Sequence, residues 1–83
     1  MTKGLTEHTI EEKCVLESMG ALIKKRRREK RITQDDLATR VKLHRTYISN
    51  VERGVTNPSI ICLLRICNAL NLSLSQIGLQ VQP

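Results

Sequence analysis

Arg45, Thr46, Ser49, Asn50 and Arg53 fall on the outward side of one short helical pattern, within the stretch TQDDLATRVKLHRTYISNVERG at 33–54. They are short or forked hydrogen-bonding side chains, and no acid stands among them. Arginine lays a planar fork on guanine O6 and N7 as no other side chain does, which is the contact assigned to Arg45. Thr46 offers a methyl to thymine and a hydroxyl to a phosphate or a base. Ser49 and Asn50, one turn further on, reach base edges or the sugar–phosphate chain, and these four are the candidate base contacts. Gln34 opens the preceding helical pattern, where an amide side chain and backbone N–H groups suit a phosphate. With Lys42, Tyr47 and Arg53 it makes up the candidate contacts to the nucleic-acid backbone. For Tyr47, partial packing into the core is an equal reading. The plain alternative for the whole set is a solvated helix face, and the lack of any acid weighs against it.

Two helices must position these groups, and neither is long enough to stand alone in water. The pattern predicts one over 34–41, with Leu37, Ala38 and Val41 inward. The other spans 45–53, with Ile48 and Val51 inward and Leu43 filling the turn between them. Thr33 and Asp36 have capping-box spacing, His44 precedes the second of the pair, and Gly54 closes it. Upstream, Thr9 and Glu12 repeat that spacing and begin a first helix over about 10–30. Its apolar side carries Ile10, Cys14, Met19, Leu22 and Ile23, and only Gly20 speaks against helix. Its last turns hold Lys24-Lys25-Arg26-Arg27-Arg28. Consecutive helical positions sweep round the axis, so one of these must face inward, and Arg27 is the candidate partner for Glu52. Arg26 is expected to pack its stem and send its head to water. Arg31 and Lys42 stand where a chain reversal favours glycine, and a left-handed backbone there costs about 1 kcal/mol.

Downstream, Val55-Thr56-Asn57-Pro58 reads as a turn and Ser59 as a cap. The helix predicted over 60–70 has an apolar stripe too wide for a face covered on one side only. Asn71 ends it, Leu72 packs, and Ser73 caps a short fifth helix containing Leu74 and Ile77. One short recognition helix reads too few base pairs for a specific site, so a second copy is expected on half-sites about 34 Å apart. Ile61, Leu64, Ile66, Leu74, Ile77 and Leu79 are the candidates for that interface, with core and contact residues not separated.

The 83 residues allow one domain, which buries roughly 60% of its unfolded surface. One tyrosine and no tryptophan or phenylalanine leave an aliphatic core, which suits helices on helices. The expectation is an all-α, compact five-helix fold, with 1–9 a flexible tail and 10–83 the domain. Of the net charge of +6, residues 24–53 hold eleven Lys or Arg against four acids, so the excess is concentrated there. Such a block usually meets a polyanion, nucleic acid first. Three cysteines without a CxxC pair argue for a reducing compartment and small buried thiols, with neither metal nor cofactor expected. No apolar run approaches the ~20 residues that span a bilayer. Catalysis lacks its groups: there is no nucleophile–base–acid set, and the adjacent Asp35 and Asp36 point apart on a helix.

The strings TQDDLA, HRTYISNVERG, NPS and ALNLSLSQI resemble the Cro- and lambda-repressor-like (XRE-like) helix-turn-helix domains, over residues 16 to 78. The short length and the RTYIS string are most similar to restriction–modification controller proteins. That resemblance implies a cytoplasmic, nucleoid-associated homodimer that binds double-stranded DNA at a palindromic operator. It would control its own gene and that of an endonuclease, with RNA polymerase as a further candidate partner. It places the base and phosphate contacts on Gln34, Arg45, Thr46, Ser49, Asn50 and Arg53, and the helix-bracing ion pair on Arg27 and Glu52. The dimer surface falls on the fourth and fifth helices. The family's glycines are replaced by Arg31 and Lys42. Other readings are a phage-type repressor, an antitoxin using residues 1–15 against its toxin, and a protein-interaction or anionic-membrane module built on the basic helix end.

Overall fold

The computed structural model describes residues 9–80, and side chains as far as Gly78. Of the expected tail, 1–9, residues 1–8 lie outside the described residues, and Thr9 is already the cap of the first helix. Five helices follow: α1 Ile10–Glu29, α2 Gln34–Val41, α3 Arg45–Arg53, α4 Ile60–Leu70 and α5 Leu74–Gln80. Their starts are set by local side chains. Thr9 with Glu12, and Thr33 with Asp36, form reciprocal capping boxes, and Ser59 accepts from Cys62 N–H. Ser73 and Gln76 exchange the same pair of bonds at 3.1 and 2.8 Å. At Asp36 the Thr33 backbone and hydroxyl bonds hold the carboxyl below its ordinary value.

Four helix ends close in one way. Arg31, Lys42, Gly54 and Asn71 adopt a left-handed backbone with φ of 59°, 59°, 75° and 60°. In each case the next residue sends its N–H five residues back, as in Ile32 to Arg27 O at 3.3 Å and Leu72 to Cys67 O at 2.8 Å. Leu72 is buried, and Ile32 and Leu43 pack partly against the core, while Val55 stays exposed.

α1 lies along the domain and packs against α3, α4 and α5, while α2 bridges α3 and α4. The core they share is aliphatic: Ile23, Leu37, Ile48, Val51, Ile66 and Leu70 are fully enclosed. Gly20 permits the tightest of these contacts. A Cβ there would sit 2.5 Å from Glu52 O and closer still to Val51 O, so the last turn of α3 rests on bare α1 backbone.

Three expectations need correcting. Ile10 and Cys14, read as part of an apolar side, are exposed, because the first turns of α1 extend past the helices that cover the rest. Arg26 does not send its head to water. Its Nε donates to Leu70 O at 3.1 Å and its Nη2 to Asn71 O at 3.0 Å, a cation on the negative end of α4. Ile66 and Ile77 belong to the protomer's own core and cannot also present a surface to a second copy. Of the six interface candidates, Ile61, Leu64 and Leu74 remain accessible, at 58%, 37% and 42%. The side chain of Leu79 lies outside those described.

Candidate nucleic-acid interface

Behind the α2–α3 face lies a buried ionic group. Arg27 and Glu52 meet through two parallel bonds, Nε to Oε2 at 2.7 Å and Nη2 to Oε1 at 3.1 Å. Only 9% and 6% of the two residues is exposed. Arg27 Nη1 also donates to Ile32 O at 2.9 Å, and Gln34 Nε2 donates to Glu52 Oε1 at 3.0 Å. The hydrogen bonds it donates to Glu52 raise the Arg27 pKa further above its ordinary value. One carboxylate therefore ties the end of α1 and the start of α2 to the last turn of α3. Charges desolvated to this degree hold only with such complete hydrogen bonding.

In front of that group stand the polar residues of α3. Arg45 and Thr46 are exposed, and Ser49 and Asn50 are half-buried. Arg45 is not isolated, since its Nε lies 3.4 Å from Asp35 Oδ1. Both groups are well exposed, and such a pair is worth only about 0–1 kcal/mol, so a stronger acceptor displaces it readily. Asn50 Oδ1 accepts from Arg53 Nη2 at 2.6 Å. Bidentate recognition of adenine needs that oxygen and the amide nitrogen together, so Arg53 would have to let go for Asn50 to make it. Gln34 likewise commits one amide hydrogen inward and keeps the rest of its amide for the outside. Lys42 is exposed in the turn, and His44 starts α3 without a side-chain cap bond.

Tyr47 is half-buried against the core, and its hydroxyl meets the Cys62 thiol and the Ser59 backbone at the start of α4. Burial, and then the Cys62 bond, push the phenol up. Bonds from Ser59 and then Tyr47 hold the Cys62 thiol below its ordinary value. Burial alone pushes Cys67 up. Reactivity follows thiolate fraction and access. In native protein at mildly alkaline pH, iodoacetamide is therefore expected to label Cys62 ahead of Cys67, read by mass spectrometry of the digested chain. Equal rates at the two would dissolve the Tyr47–Cys62–Ser59 contact as a chemical feature.

A family model described as helix-turn-helix matches residues 23–77, from within α1 into α5. The chain belongs to the helix-turn-helix family. Within that family it is similar to the ImmF control region 10 kDa protein of Bacillus phage phi105, 42% identical over 57 residues. The match takes in 69% of this chain and 63% of that protein, so the chain spans less than two thirds of that relative's length. Its fold is similar to the restriction-modification controller protein C.AhdI from Aeromonas hydrophila. That structure gives a TM-score of 0.71 at 31% identity, over 75% of this chain and 94% of that one. The wild-type controller protein C.Esp1396I gives 0.70 at 39% identity, over 81% and 86%. A single-substitution mutant of C.Esp1396I has been solved on its highest-affinity operator site, with a TM-score of 0.71.

Against this helix-turn-helix frame, three structural residues escaped the sequence reading. Asp35 counts in the sequence only as one of two acids that point apart, yet it sits beside Arg45. Gly20 looked like a mere blemish in α1. Cys62 gave no signal of its contact with Tyr47. Among the described residues no cluster of His, Cys, Asp and Glu could hold a metal ion, and no helix is long and apolar enough to cross a membrane.

Proposed function

We propose that the chain is a sequence-specific DNA-binding transcriptional regulator of the restriction–modification controller type, and not an enzyme. It reads a palindromic operator as a homodimer in the bacterial cytoplasm and sets expression of its own gene and of an endonuclease gene. The observation that carries this reading is the α3 face, where Arg45, Thr46, Ser49 and Asn50 stand at or near the surface over a buried ionic brace. Likeness to a controller protein solved on its operator supports the same face as the one that meets DNA. Exposed Ile61, Leu64 and Leu74, with Ile60 and Val55 also exposed, support a second copy packed on α4 and α5. Two α3 helices related by a two-fold would then enter successive major grooves.

The similarity to a phage control-region protein favours a second reading, an immunity regulator acting on phage promoters. Both use the same chemistry on different promoters. Selection of random duplexes by the purified protein tests the shared part, with a two-fold symmetric consensus as the expected result. On that consensus, Arg45→Ala is expected to cost about 1–3 kcal/mol and relax preference at one base pair. Equal weakening on random duplex would reduce Arg45 to a phosphate contact. Salt-sensitive binding with no consensus would remove the regulator reading altogether. The neighbouring gene then decides between controller and phage regulator.

A further inference from the structure

Four helices end in the same left-handed turn, but the residues placed there differ in what that backbone costs them. Asn71 is a residue that tolerates this backbone, and Gly54 has no Cβ to strain. Arg31 and Lys42 carry the steric penalty in full, at φ 59° each, and both are cations. These two border adjoining clefts that share Arg45 and Asp35. In the first cleft Arg31 is joined by Arg27, Arg28 and Gln34, so with Arg45 four arginines and an amide line it against the single carboxylate of Asp35. Arg31 and Arg28 are exposed, and no hydrogen bond or ion pair among the described residues holds the Arg31 side chain. Strain concentrated at two cations beside one face, in a turn that glycine closes without cost, needs a use for those cations there.

We infer that the cleft between the end of α1 and the start of α2 is a phosphodiester-binding site, with Arg31 as its principal ligand and Arg28 beside it. This rests on the DNA-binding reading and extends it beyond the two helices that carry the base contacts. α3 entering the major groove puts the start of α2 against the flanking strand. The turn before it then lies along the next phosphates, where Arg31 meets the strand outside the bases that Arg45 reads. A guanidinium there binds every sequence alike, adding affinity and fixing register without choosing bases.

Arg31→Gly tests this without risk to folding, because glycine relieves the backbone. Its melting midpoint is expected to rise by about 4–8 °C, the shift that roughly 1 kcal/mol gives a chain of this size. Binding to a random-sequence duplex and to the selected operator should weaken alike. The slope of log affinity against log salt should fall by about 0.9 for each protomer bound, about eight-fold per decade of salt. Arg31→Lys should keep most of the slope. A glycine variant that binds with the wild-type slope and affinity overturns the site while leaving the regulator intact. If wild-type protein itself shows no salt-dependent duplex binding, the DNA reading fails and this site with it.

Discussion

Replacing Glu52 by alanine is expected to remove about 3–5 kcal/mol of stability, because it strands a buried arginine rather than merely deleting a bond. Of its hydrogen bonds Arg27 would keep only the one to Ile32 O. Small domains hold about 5–15 kcal/mol in all, so a loss of that size leaves the fold close to its limit. Thermal melting followed by circular dichroism measures it directly. The double substitution Arg27→Met with Glu52→Leu should recover most of the loss, since replacing both charges by apolar groups of similar volume removes the desolvation as well. Affinity for DNA, measured per folded molecule, should fall less than stability, through Gln34 losing the carboxylate that orients it. An unchanged melting midpoint for the single variant would show that the pair contributes nothing.

The second large effect concerns one substitution made at two helical glycines. In an open helix, glycine to alanine gains about 1 kcal/mol. At Gly78 in α5 an added Cβ meets nothing within 4 Å, so that gain should appear nearly whole. At Gly20 the same methyl meets the carbonyl oxygens of Val51 and Glu52, which are backbone and cannot rotate away. α1 and α3 must separate, and overpacking of this kind costs about 1–3 kcal/mol, occasionally more. Gly20→Ala should therefore melt well below wild type and Gly78→Ala slightly above it. Because the carbonyl of Glu52 is one of those displaced, the Gly20 variant should also weaken the Arg27 pair. Equal, positive shifts for both variants would mean that α1 and α3 are not in contact at Gly20.

What could be read from the residues alone was what is decided within a few positions along the chain. Thr9 with Glu12, Thr33 with Asp36, and Ser59 mark helix starts because a capping oxygen reaches only the N–H groups next to it. Arg31 and Lys42 marked reversals for the same reason. Arg27 could be paired with Glu52 because five consecutive cations on a helix cannot all face water, and the inward one needs an acid. The contact of Arg26 with Leu70 O and Asn71 O was hidden, since a carbonyl end leaves no mark in a side-chain pattern. Ile66 and Ile61 look alike as letters, and the wide stripe of α4 shows that two surfaces are covered without saying which arc meets the chain's own core. Asp35 beside Arg45, and Tyr47 against Cys62, depend on the angle between neighbouring helices, which periodicity within each helix does not contain.

The four alike helix ends bear on how fast the molecule forms. Every reversal from α1 to α5 is closed by backbone bonds that span six residues or fewer, with a local apolar residue following the turn. Each helix can therefore stop in the right place before any distant partner arrives, and the search that remains is the docking of preformed rods, α1 onto α4 and α5 included. Small helical domains fold in microseconds to milliseconds. A newly made copy thus has α2 and α3 assembled almost as soon as the last of its helices is free to pack.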